Sequence, residues 1–99
     1  MFGWVGKMEK ATIVWTEYMK YRLILRGYDI ATVEHILRYS SERYVDTVSG
    51  RMITIGRHEK LLVMIPYEQK GATLTPVTIH ATSRQQINFR LKSGRLKNE

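Results

Sequence analysis

The segment Lys60 to Tyr67 (KLLVMIPY) constrains this fold more than any other part of the chain. Its apolar residues occupy both parities from Leu61 to Pro66, so a strand built from it shows an apolar surface to each side. Such a strand belongs at the centre of a sheet that is covered on both faces. Pro66 has no amide donor, and the ladder is expected to thin there. The run falls far short of the roughly 20 residues that span a bilayer. Lys7, Glu9 and Lys10 break any apolar stretch near the N-terminus, which argues against a secretory signal. The expectation is a cytoplasmic protein with no membrane association.

On either side of this strand the hydrophobic period changes. Ala11 to Trp15 is β-branched and aromatic, as a short strand requires. Thr16 then caps a helix that carries Met19, Leu23 and Ile24 and stops at Gly27. Asp29 caps a second helix, with Ile30, Val33, Ile36 and Leu37 as its buried stripe and Ser40-Ser41 closing it. From Arg43 the period becomes 2. Arg43 to Val48 reads as a strand, Ser49-Gly50 as a turn and Arg51 to Arg57 as the return strand. His58-Glu59-Lys60 reverses the chain into the central strand. Gln69 to Thr73 reads as a loop, and Leu74 to Ala81 as a last strand with His80 on the face opposite Val77 and Ile79. Thr82 or Ser83 caps a final helix docked by Ile87 and Leu91 and ended by Gly94.

The expected class is therefore α+β. A small twisted antiparallel sheet carries two N-terminal helices and one C-terminal helix, in the order β-α-α-β-β-β-β-α. Residues 1–10 read as a flexible N-terminal arm and 11–97 as a single domain, a size suited to a chain of 99 residues.

Composition removes much chemistry. With no cysteine there is no disulfide, Cys-bound zinc, iron–sulfur cluster or thiol nucleophile, and three scattered histidines do not suggest a metal site. No phosphate-cradling glycine loop, GxSxG or HExxH occurs. Neither a cofactor nor a metal is expected. The formal charge of +7 is unevenly spread: no acid lies between Glu68 and Glu99, while Lys70, Arg84, Arg90, Lys92, Arg95 and Lys97 do. That asymmetry points to a polyanionic partner, RNA above all. The chemistry left to such a composition is phosphoryl transfer without a metal, with cations holding the phosphate and His or Tyr moving a proton.

Candidate groups follow from position. His80 is either a strand histidine bonded to a neighbour or a general acid or base. Arg84 opens the final helix, where the dipole is already positive. It therefore needs a carboxylate such as Glu68 or Asp46, or it joins the free amides in holding an anion. Arg57 and Tyr67 complete the catalytic candidates, as phosphate ligand and phenol. Arg51, Lys60, Arg90, Lys92 and Arg95 are the nucleic-acid-binding candidates, with rim solvation as the alternative for the hairpin arginines.

Two stretches resemble a known group. Trp15 to Ile30 (WTEYMKYRLILRGYDI) looks like the opening of small toxin domains of the RelE/ParE-like superfamily, in which a strand leads to a helix with an Arg and then an Arg-Gly. Pro76 to Arg84 (PVTIHATSR) is similar to the strand-to-helix passage of the BrnT-type toxins in that superfamily. The chain departs from the pattern at Tyr18, where related helices tend to carry His, and it lacks the terminal Tyr of ribosome-dependent members. The resemblance implies a RelE-like fold and a metal-independent endoribonuclease of a toxin–antitoxin-like system, with RNA as substrate and an acidic antitoxin as partner. It places the best site positions at His80 and Arg84, then Arg57 and Tyr67. The alternatives are a non-catalytic nucleic-acid- or protein-binding module of the same fold, or a small homodimeric domain.

Overall fold

A computed structural model describes residues 8–98. The chain is α+β, with three helices and a mixed seven-stranded sheet among those residues. Strand β1 (Thr12–Ile13) leads to helices α1 (Glu17–Arg26) and α2 (Ile30–Tyr39). Strands β2 (Arg43–Asp46), β3 (Met52–His58), β4 (Leu61–Lys70), β5 (Thr73–Pro76) and β6 (His80–Thr82) follow. Helix α3 (Arg84–Lys92) and strand β7 (Leu96–Asn98) end the described chain. The sheet order is β1-β5-β4-β3-β2-β7, with β6 also paired to β4.

The helix ends obey local chemistry. Thr16 Oγ1 accepts from Met19 N at 3.1 Å, Asp29 Oδ2 from Thr32 N at 2.9 Å and Ser83 Oγ from Gln86 N at 3.2 Å. Ser83, not Thr82, is thus the cap of α3. Gly27 closes α1 at φ 71°, a left-handed conformation open to glycine without strain.

Strand β4 is central, as its doubly apolar surface demands. Val63, Ile65 and Tyr67 face Met19, Leu23, Val33, Ile36 and Leu37 of the helix pair. Leu62 and Met64 face the other way and pack with Ile53, Ile55, Ile87 and Leu96, under α3. The helix pair and α3 therefore cover opposite faces. On the helix-pair side β3 comes very close to α2, and a Cβ on Gly56 would overlap the Ile36 side chain.

Several expectations need correction. The sheet is mixed, because β1 runs parallel to β5, with Thr12 opposite Thr73. An additional strand, β7, pairs with β2. Strand β2 stops at Asp46, whose carboxylate accepts from Val48 N at 2.9 Å and so turns the chain early. Strand β4 continues through Gln69 and Lys70, which pair with Leu74 and Thr73. Ile30, expected in the α2 stripe, and Ile24 of α1 are exposed. Of the expected arm, residues 1–7 lie outside the described residues, whereas Met8 is buried in the core. Arg38 Nη1 also holds the backbone there, donating to Glu9 O at 2.8 Å and Ala11 O at 2.6 Å.

The expected last strand is two strands with a bulge between them. Tyr67 pairs with Pro76, but Met64 pairs with His80. Three residues, Val77 to Ile79, thus stand opposite two, Ile65 and Pro66. Val77 N donates to Pro66 O at 2.8 Å, so the edge of Pro66 that lacks an N–H faces the bulge. The extra residue inverts the parity. Leu74 packs on the helix-pair side, and after the bulge it is Ile79 that does so. His80 is thereby turned to the α3 side, beside Met64.

Candidate anion site at the sheet edge

His80 begins β6, whose outer edge α1 reaches with one arginine. Arg22 Nε donates to Ile79 O at 3.3 Å, and its Nη2 lies 3.3 Å from His80 Nδ1. A guanidinium only donates, so Nδ1 accepts and the proton of the neutral ring sits on Nε2. Partial withdrawal from water lowers the imidazole pKa below its usual 6.5, and the positive charges of Arg22, Arg26 and Arg90 lower it further. The ring is thus neutral at pH 7 and lies among cations.

Among the described residues, no carboxylate forms an ion pair with Arg22, Arg26 or Arg90. Arg22 and Arg26 come from α1 on one side of the sheet and Arg90 from α3 on the other. Beside His80, between α3 and the sheet, a cleft of about 400 Å³ is lined by Met64, Thr82, Gln86, Arg90 and Arg95 as well as Asp46. An anion at its mouth would meet the Arg90 guanidinium, the His80 ring that Arg22 touches, and the polar end of Gln86.

The other candidates are placed differently. Arg84 does find an anionic partner, but that partner is Glu42 rather than Glu68 or Asp46. Its Nη1 and Nη2 each lie 2.6 Å from a Glu42 oxygen in a bidentate pair. Tyr44 also donates to Glu42, at 2.7 Å, and burial followed by that carboxylate pushes its phenol up to about 12. Arg84 is thus committed at the start of β2, away from His80. Tyr67 is fully buried in the helix-pair core, on the face opposite His80, and Arg43 Nη1 donates to its hydroxyl at 3.1 Å. That position closes it to a substrate.

Arg57 lies on the α3 face of β3, opposite Leu62, and its Nη1 turns back to Lys60 O at 3.3 Å. Arg51 pairs with Glu68 at 3.3 Å, at the other end of β3. Six residue steps of strand, about 20 Å, separate the two arginines, so they cannot share one phosphate. Arg95 lines the cleft, but Asp46 holds it at 2.8 and 3.2 Å. Arg95 in turn keeps the Asp46 carboxyl far below the usual carboxylate range. Lys60 stands in the β3–β4 turn and Lys92 at the exposed end of α3. The structure therefore brings together His80, Arg90 and Arg95 but not Arg84, Arg57 or Tyr67.

Arg22 and Arg26 were not among the sequence-derived site positions. Their signal lies in spacing. They stand one turn apart on α1, the position one turn before them is Tyr18 rather than an acid, and the helix ends at Arg26.

Among the described residues no group of three or more His, Cys, Asp or Glu side chains is placed to hold a metal ion. Among the described residues no helix is long and apolar enough to cross a membrane. No family model, curated protein or solved structure matches the chain.

Proposed function

We propose that this protein binds RNA at the His80 cluster and cleaves it without a metal, as a ribonuclease-type toxin of a toxin–antitoxin-like system on a RelE-like fold. The observation that supports this most is the Arg22 guanidinium, without an ion-pair partner among the described residues, lying 3.3 Å from His80 Nδ1, with the charges of Arg26 and Arg90 also felt by the ring. Arg22, Arg26 and Arg90 would hold a backbone phosphate and stabilise the charge that grows on its oxygens. A bound phosphate draws Arg22 from Nδ1 and frees that lone pair. His80 then takes the proton of the adjacent 2′-hydroxyl, whose oxygen attacks phosphorus as the bond to the 5′-oxygen breaks. The leaving oxygen takes its proton from solvent, and a 2′,3′-cyclic phosphate remains. The substrate would be cytoplasmic RNA, and an acidic antitoxin would suit so basic a face.

Incubation of wild type with a short RNA in EDTA tests this reading. Cleavage is expected for RNA and not for the same sequence as DNA. His80→Ala should bind but not cut, and Arg22→Ala should lose both. Intact RNA together with harmless expression of wild type defeats the catalytic reading. One observation favours a second reading, in which the same face retains RNA without cutting it: in the free protein Arg22 occupies Nδ1, the lone pair a base would need. Salt-sensitive retention without products would establish that alternative.

A further inference from the structure

Helix α1 carries more than arginines on its outward side. Tyr18 is 55% exposed and Tyr21 61%, and neither ring makes a hydrogen bond or ring contact among the described residues. Leaving two aromatic rings in water forgoes burial that α1 needed for docking and obtains elsewhere from Met19 and Leu23. Tyr18 stands one turn before Arg22 on a single ridge that continues to Arg26. Tyr21 is the neighbour of Tyr18 at three residues' separation, where side chains on a helix lie about 5–6 Å apart. Tyr18 thus borders Arg22 on that ridge, and Tyr21 extends the aromatic surface from Tyr18.

We infer that Tyr18 and Tyr21 form a base-stacking platform, and that the ligand of this site is single-stranded RNA. The inference rests on the RNA reading above and narrows it. A phosphate held by Arg22 and Arg26 leaves its nucleoside next to Tyr18. Rings interleaved with guanidinium groups are the chemistry that binds unpaired strands, because every base has a face to stack and every linkage has a charge. A duplex hides those faces within its own stack, so the platform has nothing to offer it. Charge complementarity selects the occupant: an uncharged apolar partner would leave Arg22 and Arg26 unanswered, and a bare polyanion would leave the rings unused.

The test uses a short 2′-O-methyl single strand, which cannot be cut, and linear polyphosphate as a polyanion without bases. Binding is followed by anisotropy of the labelled strand and by competition. Tyr18→Ala and Tyr21→Ala should each weaken the strand about tenfold and leave polyphosphate unchanged. Tyr18→Phe should bind as wild type does. Ile24→Ser and Leu25→Ser, in the same exposed patch, should leave the strand's affinity intact. If the tyrosine variants bind the strand like wild type, the rings serve a protein partner or none, and the inference falls while RNA binding stands. Equal losses for strand and polyphosphate also overturn it. Failure of wild type to bind either polyanion overturns the RNA reading, and this one with it.

Discussion

Thr54 lies fully buried on β3, and its hydroxyl is the buried side-chain polar atom among the described residues that meets no hydrogen-bond partner. Folding strips that hydroxyl of water and returns nothing, whereas a methyl group of the same shape loses nothing on burial. Thr54→Val should therefore stabilise the fold by about 1 kcal/mol, seen as a higher urea midpoint with an unchanged m-value. His80 gives a second expectation at this scale. Its folded pKa lies below 6.5, so the neutral ring required of a base persists under mildly acidic conditions. The acid limb of the proposed RNA cleavage should accordingly fall below pH 6.5. Arg26→Ala removes one of the charges responsible and should move that limb part of the way back towards 6.5. It cannot move it fully, because withdrawal from water is the larger cause. A limb unmoved by Arg26→Ala, or one lying above 6.5, would show that another group titrates.

Among elements, the pairing of β4 with its neighbours depends on two small chemical facts. Gly56 lets β3 and α2 approach until no Cβ fits between them. Gly56→Ala should cost about 1–3 kcal/mol as Ile36 and the helix yield, measurable by thermal or urea unfolding. Pro66 accounts for the bulge that turns His80 to the α3 face. The sequence made Pro66 a weak point in the ladder and assigned His80 a parity, yet it offered no count of residues between Pro76 and His80 that would reveal the bulge. Caps were legible at Thr16, Asp29 and Ser83 because each acts within three residues. The pairing of Glu42 with Arg84 spans 42 residues and the parallel pairing of β1 with β5 joins opposite parts of the chain, so neither leaves a local trace.

Across the whole molecule, the acid-free last third proved an incomplete guide to the site. Arg84 and Arg95 lie within it and are both neutralised by carboxylates from around β2. Arg22 and Arg26 lie in the nearly balanced first part and find no such partner. Net charge records how many cations there are, while folding decides which of them keep their charge uncompensated. If Arg22, Arg26 and Arg90 hold one phosphate between them, log affinity for single-stranded RNA should fall with log salt at a slope of about −0.7, and Arg90→Ala should make that slope shallower. Mutating Arg84 should leave the slope unchanged and destabilise the fold instead. The placement of the cluster has one more consequence. Arg22 and His80 are 58 residues apart in sequence, and Arg90 belongs to the opposite cover of the sheet, so the site straddles two separately packed cores. A chain with only one cover docked has half a site. On the proposed activity, the chain acts fully on RNA only once α3 has closed on the sheet. Detachment of α3 would take Arg90 away and leave His80 and Arg22 as the remaining half.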